Sequence, residues 1–179
     1  MEAISENIII SEEYDIVDIH GNKLGYSKNN MEHLTENEYQ IGASLWIVNP
    51  HGKLLIQRRA PTKRIGANLW SITGGKVKTG ENSVDACLRE AFEEIGLVLT
   101  RSDIVFLYRS LGKNMLFDDF ITNYNSKFGR FTLKSSEVSE IKWVSFEEII
   151  RMHSGGEFLY NDISDISIVK EYVNNLMNS

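Results

Sequence analysis

The chain is poor in the features that announce several protein classes. It has a single cysteine, Cys87, in 179 residues. That excludes an internal disulfide framework and a cysteine-built zinc site. Only two prolines, Pro50 and Pro61, interrupt it. No proline-, glycine- or serine-rich linker, repeat or low-complexity stretch divides it, so one domain spanning residues 1–179 is expected. No window approaches the roughly 20 apolar residues of a membrane span. The opening MEAISENIII is acidic, and its apolar run stops after three residues. It does not read as a signal peptide, and a reducing cytoplasm is the expected location. An excess of positive charge is also missing. The net charge is −6 and the pI about 5.3. This argues against general nucleic-acid binding and a membrane-surface role. It leaves phosphate chemistry open, because a divalent cation can stand between an acidic protein and an anionic substrate.

What is there is an ordinary globular composition, 42% hydrophobic and 25% charged. Strand-like runs fall at 8–10, 13–19, 41–48, 53–58, around 69–73, 103–110, 115–124 and 140–144. Asn49-Pro50-His51-Gly52 has the turn chemistry of a hairpin between the third and fourth of these. A helix is predicted over 83–95, with further short helices near 146–152 and 163–177. This order fits an α/β chain, an α/β/α sandwich with a mixed central sheet. Residues 1–38 are read as an N-terminal strand extension.

The helix at 83–95 carries the information. Val84, Cys87, Leu88, Ala91 and Ile95 recur at helical spacing as one apolar stripe. Gly96 stands where a left-handed cap wants glycine. Glu90, Glu93 and Glu94, at i, i+3 and i+4, share a face expected to lie well away from that stripe. Like charges at this spacing cost a helix a few tenths of a kcal/mol. A hard divalent cation removes that penalty by taking oxygen ligands. Taken alone, the three glutamates fit a plain solvated helix face.

The flanking residues decide otherwise. Gly75 is followed after five residues by Glu81, and after seven more by Arg89-Glu90-Ala91-Phe92-Glu93-Glu94-Ile95-Gly96-Leu97. Nine constrained positions in register arise by chance with a probability of roughly 10⁻⁷. The segment Gly75–Leu97 resembles the complete signature box of the Nudix hydrolases, with Ala91 small for its apolar position. The resemblance implies Mg²⁺ or Mn²⁺ held by Glu90, Glu93, Glu94 and the Gly75 carbonyl. It implies Arg89 pairing with box carboxylates, Glu81 supporting the site, and catalytic roles for Glu90, Glu93 and Arg89. The reaction it implies is hydrolysis of a small diphosphate substrate, such as a nucleoside diphosphate linked to another group, by metal-activated water. Association as a homodimer is left open.

Other residues are weaker candidates. Arg58 and Lys63, among the cations Arg58, Arg59, Lys63 and Arg64, are expected to grip phosphate oxygens. Solvated loop charges would look the same. In the family a glutamate after the box often serves as a further ligand or as the general base. The spacing of Glu137 from Trp143 resembles that acid, so Glu137 is favoured over Glu140. His20, His33, His51 and His153 are scattered without ligand spacing. Trp46, Trp70 and Trp143 read as core, with Trp70 near enough to the box to border a pocket. Tyr14 and Tyr39 offer stacking surfaces that the pattern does not place. Cys87 reads as packing.

A rival comes from the N-terminal part. Asp15-Ile16-Val17-Asp18 with Gly21 and Leu24-Gly25, followed by Leu54–Arg59, is similar to isopentenyl-diphosphate isomerase and its hydrolase relatives. The isomerases use a cysteine in the loop before the box. Here that loop is Ser71-Ile72-Thr73-Gly74-Gly75, so hydrolysis is expected to accompany an isomerase-like extension. A non-catalytic nucleotide sensor is the third reading. Such modules usually carry broken boxes and a DNA-binding attachment, and neither is seen.

Overall fold

The computed structural model describes residues 12–30, 32–159 and 166–178. Strands β1 (Glu13–Val17) and β2 (Lys23–Asn29) form an antiparallel hairpin. A seven-stranded mixed sheet follows, made of β3 (Gln40–Val48), β4 (Leu54–Arg59), β5 (Trp70–Ser71), β6 (Thr73–Lys76), β7 (Val105–Gly112), β8 (Met115–Asn123) and β9 (Val138–Val144). Helix α1 (Ser83–Ile95) covers one face. Helices α2 (Phe146–Ser154) and α3 (Ile166–Met177) cover the other.

Side-chain alternation along β3 explains the three layers. Ala43, Leu45 and Ile47 enter the core beneath α1, with Cys87, Ala91 and Ile95. Trp46 and Val48 enter the opposite core, with Phe146, Ile149 and Val169. A strand buried on both faces loses the polar alternation of a surface strand, and β3 reads as a nearly continuous apolar run. Its pairing with β8 is parallel along its whole length, from Gln40↔Met115 to Val48↔Asn123.

Asn49–Gly52 does turn the chain from β3 into β4. The Asn49 side-chain oxygen accepts from the His51 and Lys53 N–H groups at 2.9 and 3.0 Å. The two strands then pair only at Val48↔Leu54 and splay. Residues 70–76 fill the gap. β5 pairs with β4 at Gln57↔Ser71 and Arg58↔Trp70, and β6 pairs with β3 from Leu45↔Thr73 to Gly42↔Lys76. The single strand expected over 69–73 is therefore two, changing partner at Ile72. That crossing carries Gly74 and Gly75 to the N-terminal part of β3, beside α1.

Other boundaries move by a few residues. β1 ends at Val17 rather than at 19, and β7 runs from 105 to 112 rather than from 103 to 110. β9 begins at Val138 rather than at 140. The strand expected at 8–10 and the start of the helix expected at 163 lie outside the described residues. Strand β2 has no counterpart among the expected strands. Its sequence Lys-Leu-Gly-Tyr-Ser-Lys-Asn lies at the surface and buries no residue fully, so no hydrophobic period marks it. No helix among the described residues is long and apolar enough to cross a membrane.

Candidate active site

Helix α1 is fixed at both ends. The Asn82 side chain accepts from the Asp85 N–H at 3.0 Å. At the other end Gly96 adopts φ 70°, a left-handed conformation that costs glycine little. There Gly96 N–H reaches the Phe92 carbonyl and Leu97 N–H the Ala91 carbonyl, satisfying the last turn. A helix held this way can present its carboxylates at a set height over the β3–β6 edge.

The three box glutamates do not share one solvated face. The Glu93 side chain is 39% exposed and that of Glu90 15%. Glu94 is only 4% exposed. The reason is angular: at about 100° per residue, Glu94 lies roughly 60° from Ala91 and borders the buried stripe. Its Oε2 accepts from the Gln57 side-chain amide at 2.7 Å and from the Gly74 N–H at 3.0 Å. Thr73 Oγ1 donates to the Gln57 carbonyl oxygen at 3.1 Å, which orients that amide. Burial pushes the Glu94 carboxyl up to about 7 against the pull of these donors. The neighbouring Glu90 charge adds to the rise.

Arg89 organises the rest. Its guanidinium makes a two-pronged contact with Glu81 at 2.8 and 3.0 Å. It also reaches Glu90 at 2.6 Å, Glu93 at 3.4 Å and the Lys76 carbonyl at 3.1 Å. Glu81 in turn accepts from the Lys78 N–H. Burial raises the Glu90 carboxyl, and Arg89 opposes that rise. Gly75 packs against the Glu90 carboxylate so closely that a Cβ would lie 2.3 Å from Glu90 Oε1. Any side chain at 75 would displace that carboxylate.

These residues border a cleft of about 750 Å³. Glu90, Glu93, Glu94, Gly75 and Arg89 line it. Arg59 lines it from the end of β4, Lys63 and Arg64 from the loop that follows, and Glu137 from the loop that precedes β9. Lys63 and Glu137 form an ion pair. The hairpin contributes Tyr14 and Asn30.

Arg58 is not among the lining residues, and its neighbour Arg59 is. Strand alternation gives the reason. Leu55, Gln57 and Arg59 face α1, whereas Leu54, Ile56 and Arg58 face the opposite layer. There Arg58 donates to the Asn68 carbonyl at 3.1 Å. Trp70 packs into the α2/α3 core, with the Lys142 ammonium 4.4 Å from its ring centre. It does not border the cleft. None of the four histidines lines it. Cys87 is on the buried face of α1, and burial pushes its thiol up to about 12. Gln57, Lys76 and Asn30 stand at the site without a motif that marks them. Gln57 was within reach of the sequence, because a polar residue alternating with Leu55 on a buried strand needs a polar partner.

The donors suit a hard cation. They are carboxylate and carbonyl oxygens, the set that magnesium, manganese and calcium select. Among the described residues no three acidic, histidine or cysteine side chains already converge as a metal-holding cluster. Arg89 holds Glu90 and Glu93, while Gly74 and Gln57 hold Glu94. Arg89 engages Glu90 Oε1 and Glu93 Oε2, so a bound cation would be met by the second oxygen of each carboxylate. The Gly75 cradle leaves Glu90 space at that point.

This arrangement has known counterparts. The NUDIX domain model matches residues 38–161, and the chain belongs to the Nudix hydrolase family of enzymes. An uncharacterized Nudix hydrolase of Listeria monocytogenes is 30% identical over 83% of this chain and 88% of its own. Isopentenyl-diphosphate Delta-isomerase 2 of Aromatoleum aromaticum is 29% identical over 75% of this chain and 72% of its own. A Deinococcus radiodurans crystal structure superposes with a TM-score of 0.71 at 20% identity, over 92% of this chain and 98% of that one. It shows the same fold.

Proposed function

We propose that this enzyme hydrolyses a diphosphate bond in a nucleoside-diphosphate-linked or similar small substrate, with Mg²⁺ or Mn²⁺ as cofactor. The observation that carries the reading is the edge Arg89 builds. One guanidinium ties Glu81, Glu90 and Glu93 together beside the buried Glu94, and cations line other parts of the same cleft. Glu90, Glu93, Glu94 and the Gly75 carbonyl would hold the metal. When bound, it supplies positive charge to the diphosphate oxygens and makes nearby water more acidic.

The chain's own residues do the remaining work. Arg59 and Lys63 orient the phosphoryl oxygens by charge-assisted hydrogen bonds. Arg89 keeps Glu90 and Glu93 from swinging outward, and Glu81 anchors Arg89. Glu137 accepts the proton of the attacking water once phosphate draws Lys63 from it. Water oxygen bonds to phosphorus, the bridging P–O bond breaks, and its electron pair leaves on the departing phosphate.

Isomerisation of isopentenyl diphosphate is the second reading, supported by the likeness to the Aromatoleum isomerase. It needs a proton-transferring group in place of the cysteine those enzymes use, and Cys87 lies away from the cleft. Turnover of a diphosphate panel in ¹⁸O-labelled water separates the two. Label in a phosphate product is expected. Interconversion of isopentenyl and dimethylallyl diphosphates, with no labelled product from any substrate, would establish the isomerase.

A further inference from the structure

The protein carries a net charge of −6, yet its cleft is locally basic. Seven of the lining residues are cationic and five are carboxylates, a surplus of two positive charges before any metal binds. Apolar recognition surface is scarce. Among the described lining residues the only aromatic side chain is Tyr14 and the only large aliphatic one is Ile65. Tyr14 is 3% exposed, and the Lys76 ammonium lies 4.8 Å from its ring centre. A base cannot stack on a ring that is buried and covered in this way.

Lys76 is held unusually. Its ammonium donates to the Asn30 and Gln40 side-chain oxygens, both at 2.7 Å. Among the described residues it makes no ion pair, whereas the lining cations Lys63, Lys78 and Arg89 each do. Its own carbonyl accepts from Arg89. One residue therefore joins the carboxylate edge, through its backbone, to the hairpin side of the cleft, through its side chain. Lys76 and Arg64 line the same cleft, and a negatively charged group arriving there would give the Lys76 ammonium the anion it lacks.

We infer that the substrate is a small molecule carrying at least one phosphate or carboxylate beyond the scissile diphosphate, and that Lys76, propped by Asn30, Gln40 and Tyr14, takes that extra group. The inference rests on the diphosphate-hydrolase reading and sharpens it to charge-dense substrates. It sets aside prenyl diphosphates and substrates whose far end is a neutral nucleoside.

Three probes share a diphosphate and differ at the far end: 5-phosphoribosyl 1-diphosphate, ADP-ribose and isopentenyl diphosphate. Product formation with Mg²⁺, read by chromatography of the phosphomonoester products, should show kcat/KM for the first at least about tenfold above the other two, the worth of one charge-assisted contact. Lys76→Gln should erase that preference, mainly through KM, and Lys76→Arg should retain most of it. Calorimetry in EDTA gives a readout independent of turnover. There 5-phosphoribosyl 1-diphosphate should bind the wild type more tightly than isopentenyl diphosphate does, and Lys76→Gln should remove the difference. Equal or better hydrolysis of ADP-ribose, or an equal effect of Lys76→Gln on all three probes, overturns the inference while leaving the enzyme a hydrolase. Absence of hydrolysis with every probe counts against the hydrolase reading. In that case equal binding in EDTA overturns the inference as well.

Discussion

Residues 75–97 and residues 13–29 border the same cleft and are built in opposite ways. In the first segment Cys87, Ala91 and Ile95 are locked into the core under the sheet, Glu94 is buried, and Arg89 is saturated by carboxylates and a carbonyl. The second is a hairpin whose outer strand is exposed at Lys23, Leu24 and Tyr26. It is tied to the box by the Thr79 N–H to the Glu13 carbonyl at 2.9 Å, Gly80 N–H to Asp15 at 3.3 Å, and Lys78 to Glu12 at 2.7 Å. Exposed ion pairs of the last kind contribute about 0–1 kcal/mol. A packed helix can hold reacting groups to within a fraction of an ångström; in the hairpin β1 buries Tyr14, Ile16 and Val17, and only the exposed outer strand β2 can change its side chains at little cost. On the proposed function, the first segment sets the reaction, and the second helps choose the substrate by propping Lys76, which stands at the start of the first.

If that division holds, the largest effects belong to the helix. Glu90→Gln and Glu94→Gln are each expected to lower metal-dependent turnover by at least about a hundredfold, because a charged oxygen donor is lost where charge develops. Both proteins should fold, since glutamine keeps the shape and can still accept from Gly74. Full activity in either variant at saturating Mg²⁺ would remove the helix from the reaction.

The buried position of Glu94 makes a second prediction, with a definite sign. Its carboxyl is raised from 4.5 to about 7 in the folded protein. Between those values the folded state holds a proton that the unfolded state has released. Metal-free stability should therefore fall as pH rises from about 5 to 7 and level off above. The loss is on the order of 2–3 kcal/mol, at about 1.4 kcal/mol per pH unit. Urea unfolding in EDTA at pH 5 and pH 8 isolates this when wild type is compared with Glu94→Gln, in which the residue cannot titrate. Mn²⁺ at pH 8 should restore wild-type stability, because it binds the charged carboxylate. A wild type and variant that differ equally at both pH values would contradict this account of the burial.

The box is legible in the amino-acid sequence because, on the proposed function, metal-ligating chemistry on a helix imposes fixed spacings. Gly75, Glu81, Arg89 and the three glutamates cannot drift relative to one another without losing the geometry. Sequence periodicity also marks α1, β3 and β4, whose apolar faces are buried. It cannot mark β2, which buries no face. It cannot foresee that β3 and β4 splay and admit residues 70–76, since that pairing joins positions far apart in the chain. The choice of Arg58 over Arg59 fails for a simpler reason: adjacent residues on a strand look alike in sequence and face opposite layers. The burial of Glu94 is missed because three nearby glutamates look like one face away from the apolar stripe until the angle to Ala91 is drawn.

Glu137 belongs to neither segment; it lines the cleft from the loop before β9 and is paired with Lys63. Glu137→Gln is expected to lower kcat by roughly tenfold or more with little change in KM, as for a group acting mainly in the transition state. Lys63→Met should act mostly on KM, because its partner is replaced by phosphate when substrate binds. An unchanged kcat for Glu137→Gln across pH 6–9 would transfer the role to Glu140 or to Glu90.

The smallest effect expected is at Tyr14, and it tests the hairpin most directly. The Tyr14 hydroxyl donates to Glu12 at 2.8 Å and accepts from the Asn30 side-chain amide at 3.0 Å. Asn30 then presents its carbonyl oxygen to the Lys76 ammonium. Tyr14→Phe removes the hydroxyl but keeps the ring beneath Lys76, so Lys76 loses one of its supports indirectly and keeps Gln40. Loss of one neutral hydrogen bond of this kind is worth about 1 kcal/mol or less at the residue that makes it, and less one step away. KM for 5-phosphoribosyl 1-diphosphate should therefore rise by about two- to threefold, with kcat and the KM for ADP-ribose little changed. Burial pushes the phenol up to about 12, with the Glu12 carboxylate adding to it, so the hydroxyl is neutral at working pH and is no candidate base. A tenfold or greater fall in kcat for Tyr14→Phe would show that the hairpin acts on the reacting atoms themselves. The division between a segment that reacts and a segment that selects would then have to be abandoned.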